Sequence, residues 1–93
     1  MVHSQDLIIK NNRGLHARAA AKFVKCAESF DADIIVQKDE NEVSGTSIMG
    51  LMLLAASKGT AIHVTVSGKE ADAAMKALID LVNDKFGEDR TEE

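Results

Sequence analysis

Apolar and polar residues alternate along this chain with two different periods, which together predict a succession of strands and helices. Residues 5–10, Gln-Asp-Leu-Ile-Ile-Lys, are rich in β-branched side chains, which is typical of a short strand. The polar segment 11–14 ends that strand. From Ala17 to Phe30 apolar residues recur at spacings of three and four, which predicts a helix with one apolar face. That face is predicted to hold Ala20, Phe23, Val24, Ala27 and Phe30.

The middle of the chain predicts a pair of strands followed by an apolar helix. Residues 32–38 and 42–44 have the composition of strands, and turn-forming residues join them at 39–41. Residues 48–57 form a run too long and too rich in Leu, Met and Ala for a strand, so they predict a helix. A Lys-Gly dipeptide follows, which supplies the cation and the glycine that commonly end a helix.

The last part of the chain predicts one more strand and one more helix. Residues 60–67 alternate strictly, with Ile62, Val64 and Val66 on one side and polar or small residues on the other. Residues 70–86 have a helical apolar stripe, and Leu81 lies near it. The stripe consists of Ala71, Ala74, Met75, Leu78, Val82 and Phe86.

The resulting order, βαββαβα, fits a two-layer α+β fold in which three helices cover one face of a four-stranded sheet. The polar side of the fourth strand predicts that the other sheet face meets water. A chain of 93 residues is long enough for one domain only, which we place at residues 1–87. Residues 88–93 are polar and mostly acidic, so we expect a flexible C-terminal tail.

Composition narrows the possible functions. The net charge of −4, the absence of Trp and Tyr and the presence of only three Phe disfavour binding of nucleic acid. A single cysteine cannot form an internal disulfide, and no signal peptide is recognisable at the N-terminus. No apolar run reaches the roughly 20 residues of a membrane span. We therefore expect a cytoplasmic protein without membrane insertion.

His16 is the strongest candidate for chemistry, because it lies at the predicted start of the first helix. The first turn of a helix presents free N–H groups and the positive end of the helix dipole, which together bind anions. Arg18 adds a fixed cation two residues further on. A histidine that is partly neutral near pH 7 can attack a phosphoryl group as a nucleophile. From spacing alone, a purely structural role for His16 at the helix start remains open.

Two segments give the chain a family resemblance. The segment Gly14-Leu15-His16-Ala17-Arg18-Ala19-Ala20-Ala21 resembles the active-site segment of the HPr family. These are the histidine-containing phosphocarrier proteins of the bacterial phosphoenolpyruvate-dependent phosphotransferase system. The segment Ser47-Ile48-Met49-Gly50-Leu51-Met52 resembles the regulatory serine segment of the same family. The resemblance covers about residues 4–86 and implies an open-faced sandwich of four antiparallel strands and three helices.

The resemblance implies a function for the first segment. His16 would accept a phosphoryl group on Nδ1 from phosphorylated enzyme I and pass it to a histidine of an EIIA-type protein. Arg18 would neutralise the phosphate, and the backbone N–H groups of Ala17 and Arg18 would hold it. Such a protein is a phosphohistidine carrier more than a stand-alone enzyme, and no cofactor is expected. The chain departs from the family at Ala19, where Pro is usual, so we expect a less rigid helix start.

Ser47 has two interpretations. Its hydroxyl suits a helix N-cap, and the resemblance also implies phosphorylation by an HPr kinase/phosphorylase of the kind found in some bacteria. The helix after it has more apolar residues than one core face needs. If Leu51, Leu54 and Ala55 are the core, a second apolar set is left near the surface. This second set consists of Ile48, Met49 and Met52. Together with Ala20 and Lys25 of the first helix, it is the predicted docking surface for enzyme I and the EIIA-type protein. The alternative is that these apolar residues are simply further core.

Other features carry weaker signals. Lys22 could meet an acidic partner or simply face solvent, and Cys26 is interpreted as a packing residue. His3 and His63 lack the spacing of a metal site. A second hypothesis is a regulatory binding module controlled by phosphorylation of His16 or Ser47, because residues 54–59 resemble the nitrogen-related branch of the family. A third is a small ligand-sensing or RNA-binding domain. A monomer is the simplest expectation.

Overall fold

The computed structural model describes residues 2–89, which form a single antiparallel sheet with helices on one face. The predicted βαββαβα order and α+β class are confirmed. The elements are β1 (Val2–Ile8), α1 (Ala17–Glu28), β2 (Asp33–Lys38), β3 (Asn41–Ser44), α2 (Ile48–Leu53), β4 (Ala61–Ser67) and α3 (Ala71–Asn83), followed by a 3-10 turn (Lys85–Gly87).

The sheet has the strand order β1-β4-β2-β3, so β1 and β3 form its edges. β4 is antiparallel to both of its neighbours, and Val64 lies opposite Gln5 in β1 and Val36 in β2. The alternation in β4 explains this central place. Its apolar side, including Val64, is fully buried, whereas Ala61 and His63 on the other side are exposed. The predicted wet face of the sheet is therefore confirmed.

The core lies between this sheet and the three helices. The predicted buried residues of α1 and α3 are buried, except that Phe30 is only partly buried. Each large side chain that is fully buried contributes roughly 1.5–3 kcal/mol relative to exposure. The largest are Phe23, Phe86, Ile9, Leu51, Ile62 and Leu78. Phe23 lies within α1 and Phe86 follows α3, so both of these helical segments contribute a large aromatic side chain to the core.

The helix predicted at residues 48–57 was too long. α2 ends at Leu53, and Ala55 has φ +53°, which takes it out of the right-handed helical region. Ala55 is exposed, so its assignment to the core was also wrong, whereas Leu51 and Leu54 are buried as predicted. The cause is tertiary: the carbonyl of Ala56 accepts a hydrogen bond from the Leu15 N–H at 2.9 Å, so the chain must leave the helix to reach the β1–α1 loop.

Candidate functional site

The loop between β1 and α1 is held rigidly against the segment that follows α2. The Gly59 N–H donates to the carbonyl of Ile9 at 2.8 Å, and the Leu15 N–H donates to the carbonyl of Ala56 at 2.9 Å. Gly14 lies between these anchors with φ +69°, a conformation that L side chains rarely adopt. The loop thus delivers His16 to the start of α1 with a defined backbone direction.

His16 is the N-cap residue of α1. Its backbone is extended, with φ −77° and ψ −179°, and its side chain makes no capping hydrogen bond. Its carbonyl accepts from the Ala20 N–H at 2.8 Å, which closes the first turn. The N–H groups of Ala17 and Arg18 belong to that turn and have no partner within the helix. His16 is therefore attached to the end of the helix that carries the free backbone donors and the positive end of the helix dipole.

Arg18 is exposed in the first turn of α1, so its guanidinium is accessible to an anion from solvent. Ala19 is fully buried. The helix begins at Ala17 even though Ala19 replaces the proline usual in the family. Alanine is itself a strong helix former, which explains why the helix start survives the change.

Two carboxylates near the end of the described chain fold back on the β1–α1 loop, and one of them, that of Glu88, contacts His16. Oε2 of Glu88 lies 2.7 Å from Nε2 of His16, and Oε1 accepts from Nδ2 of Asn11 at 3.0 Å. The N–H of Asn12 donates to Oδ2 of Asp89 at 2.6 Å. Sequence reasoning placed both acidic residues in a flexible tail and missed this contact. One feature of the sequence could have indicated the contact. Phe86 belongs to the predicted buried stripe, so the residues directly after it must begin close to the core.

The rest of that expected tail, residues 90–93, lies outside the described residues.

Ser47 caps α2, as predicted. Its Oγ accepts a hydrogen bond from the Gly50 N–H at 2.9 Å, and its backbone is extended. The side chain is only partly buried.

The helix that Ser47 begins has an exposed apolar face, which we call the α2 surface: Ile48, Met49 and Met52. Their side chains are 41%, 71% and 39% exposed, so they are not extra core. Leu53 is 77% exposed and was not predicted. α2 packs on α1, whose first residue follows His16, so the α2 surface and the histidine belong to the same layer of the molecule.

The two α1 residues assigned to the docking surface differ. Lys25 is exposed in the last turn of α1, as docking requires. Ala20 is fully buried because it points into the core beneath α1, so its assignment to the docking surface was wrong. Lys22 donates from Nζ to the carbonyl of Phe86 at 2.7 Å, which gives this lysine an intramolecular role.

The remaining candidates lie elsewhere. Burial raises the pKa of the Cys26 thiol, which makes the reactive thiolate scarcer and agrees with a packing role. His63 pairs with Asp6 at 2.7 Å on the open sheet face, and His3 pairs with Asp72. Within residues 2–89, no three His, Cys, Asp or Glu side chains are placed to hold a metal ion. None of the helices in that range is long and apolar enough to cross a membrane.

Comparison with known proteins identifies the class. The family model described as "PTS HPr component phosphorylation site" matches residues 3–84. "Phosphocarrier protein HPr" of Neisseria meningitidis serogroup B is 49% identical over 84 residues, which are 90% of this chain and 94% of the relative. "Phosphocarrier protein NPr" of Shewanella violacea is 40% identical over 84 residues, 90% of this chain and 92% of the relative.

Solved structures agree with the sequence comparison. HPr-C-His from Thermoanaerobacter tengcongensis matches with a TM-score of 0.89 at 43% identity, over 95% of this chain and 99% of that one. HPr from Bacillus anthracis matches with a TM-score of 0.83 at 40% identity, over 87% of this chain and 96% of that one. The fold and these relatives thus define a phosphocarrier of the phosphotransferase system. The chain belongs to the HPr family.

Proposed function

We propose that this protein accepts a phosphoryl group from phosphorylated enzyme I on Nδ1 of His16 and passes it to a histidine of an EIIA-type protein. The observation that carries the proposal is that His16 is the N-cap residue of α1, with Arg18 two residues further on in the first turn. Backbone N–H groups, the helix dipole and a guanidinium stabilise a phosphate at this position. The exchange is in the cytoplasm, where enzyme I draws on phosphoenolpyruvate.

The transfer exchanges one nitrogen–phosphorus bond for another. The lone pair of Nδ1 attacks phosphorus, the bond between phosphorus and the donor histidine breaks, and that histidine recovers its electron pair. The phosphoryl oxygens then accept from the N–H groups of Ala17 and Arg18, while the guanidinium of Arg18 offsets their charge. The protein is a reactant in both steps, which is why it is a carrier and needs no cofactor of its own.

Intact mass spectrometry tests the relay. After incubation with enzyme I, Mg²⁺ and phosphoenolpyruvate, the protein is expected to gain one phosphoryl group, which acid removes because phosphohistidine is acid-labile. Addition of an EIIA-type protein is expected to return the mass to its starting value. The proposal is wrong if neither the sugar nor the nitrogen form of enzyme I adds a phosphoryl group.

We further propose that the α2 surface, together with Lys25, docks both partners. Met49→Asp is expected to raise the KM for phosphorylation by enzyme I at least about tenfold, since loss of about 1.4 kcal/mol of binding free energy gives that factor. Met49 is 71% exposed, so the folded structure tolerates the charge. Initial rates at varied carrier concentration provide the measurement.

Val2→Asp is the matched control for Met49→Asp. Val2 is an apolar residue with 66% exposure, and it lies on β1 at one edge of the sheet. α2 packs on β3, which forms the opposite edge, so Val2 lies far from the α2 surface. The KM of the Val2→Asp variant for phosphorylation by enzyme I should stay at the wild-type value. An unchanged KM for Met49→Asp would remove Met49 from the docking surface.

We also propose Ser47 as a regulatory phosphorylation site. A phosphate here would add a charge of about −1.5 to −2 at the start of α2, beside the apolar residues that dock the partners. The protein in this state would act as a regulatory binding module. Treatment with an HPr kinase and ATP is expected to add one acid-stable phosphate to the wild type and none to Ser47→Ala. Absence of phosphate on the wild-type Ser47 would contradict this.

A further inference from the structure

The segment after α3 crosses the start of α1, and we call residues 84–89 the C-terminal strap. The side chain of Phe86 is fully buried, and its carbonyl accepts from Nζ of Lys22 at 2.7 Å. Lys85, Phe86 and Asp89 have positive φ values of 58°, 55° and 60°. Non-glycine residues hold such values only where surrounding contacts impose them. The path of the strap is therefore set by packing on α1, and this path carries Glu88 to the imidazole.

The carboxylate of Glu88 is held from two sides. Its Oε1 accepts from Nδ2 of Asn11 at 3.0 Å, and the same Nδ2 donates to the carbonyl of Gly14 at 2.8 Å. Asn11 is fully buried, and these two acceptors set the orientation of its amide. Oε2 faces Nε2 of His16 at 2.7 Å, and the exposed fractions of the two side chains are 17% for His16 and 10% for Glu88. This contact is shielded from water and has a defined geometry.

An ionised carboxylate accepts hydrogen bonds and cannot donate them. The short contact with Glu88 therefore requires a hydrogen on Nε2 of His16. In the neutral imidazole, a hydrogen on Nε2 leaves the lone pair on Nδ1. Glu88 thus selects the tautomer whose nucleophilic nitrogen is Nδ1.

We propose that Glu88 is a positioning residue for phosphoryl transfer, which selects the reactive tautomer of His16 and stabilises the ring after attack. This inference rests on the proposed transfer at His16. As the bond from Nδ1 to phosphorus forms and the donor's bond breaks, Nε2 keeps its proton and the ring gains positive charge. The carboxylate of Glu88 already faces that charge, so it stabilises the transition state without reorganisation.

Glu88→Gln tests the proposal because glutamine has the same size but can both donate and accept. Nitrogen-15 NMR of the His16 ring in the unphosphorylated protein reports the tautomer. In the wild type, Nε2 is expected to be protonated and Nδ1 unprotonated; in Glu88→Gln this preference is expected to be lost. The rate constant for phosphoryl acceptance should fall roughly 10- to 100-fold, as happens when outer partners of metal-bound histidines are removed. The KM for enzyme I should not change.

Two further variants control for structural effects. Asp89→Asn changes the neighbouring carboxylate, which accepts from the Asn12 N–H and does not contact His16, so tautomer and rate should stay wild type. Glu88→Asp keeps an acceptor-only carboxylate and is expected to retain the Nε2 hydrogen. Wild-type tautomer and rate in Glu88→Gln would overturn the role of Glu88 while phosphorylation of the wild type still supports the carrier function. A wild type that accepts no phosphoryl group would overturn the carrier function, and with it the role of Glu88.

Discussion

His16→Ala is expected to abolish the acid-labile phosphoryl group that the wild type acquires from enzyme I and phosphoenolpyruvate. The alanine side chain has no nucleophilic atom, and His16 is the histidine at the start of α1. The fold should persist, since the His16 side chain makes no capping hydrogen bond to α1. Intact masses before and after acid treatment give the result, and a thermal unfolding curve verifies that the variant is folded.

His63→Ala is the matched control for His16→Ala. Like His16, His63 pairs with a carboxylate at 2.7 Å, here that of Asp6, but it lies on the open face of the sheet. If phosphorylation requires a histidine at the N-terminus of a helix, the His63→Ala variant is expected to accept one phosphoryl group, as the wild type does. A phosphoryl group found on His16→Ala would move the chemistry to His63 or His3 and refute the proposed site.

The secondary structure could be predicted where local pattern and tertiary packing agree. β4 alternates strictly because only one of its sides is buried, and α1 has one apolar stripe because only one of its faces meets the core. The prediction failed after α2, because Ala55 and Ala56 are strong helix formers and nothing local opposes a helix there. The Leu15–Ala56 hydrogen bond decides the conformation, and it joins residues far apart in sequence.

The site divides in the same way. His16, Arg18 and Ser47 could be predicted because a helix N-terminus is encoded within a few residues. Glu88 could not, because its partner lies 72 residues earlier in the chain. The left-handed turn at Lys85 and Phe86 that brings Glu88 back is unfavourable for both residue types, and only the packing of the strap on α1 produces it.

Gly14→Ala is expected to lower the free energy of unfolding by roughly 2–4 kcal/mol, of which about 1–2 kcal/mol comes from an L residue in the left-handed region. The remainder comes from a collision: a Cβ at Gly14 would lie 2.4 Å from the carbonyl oxygen of Ala56. That oxygen belongs to the backbone and accepts from the Leu15 N–H, so the loop must shift and take His16 with it. Phosphoryl acceptance should slow as well. Urea unfolding and the rate of phosphorylation by enzyme I give the two measurements.

Gly59→Ala separates the two contributions to the effect of Gly14→Ala. Gly59 also has a positive φ, +88°, but a Cβ built there meets nothing within 4 Å. The Gly59→Ala substitution should therefore lower the free energy of unfolding only by the conformational contribution, about 1–2 kcal/mol. Phosphorylation of His16 should keep the wild-type rate. The difference between the two variants measures the contact between Gly14 and Ala56. Equal losses of stability would mean that this contact is looser than the structure shows, and that Gly14 serves the site by its backbone conformation alone.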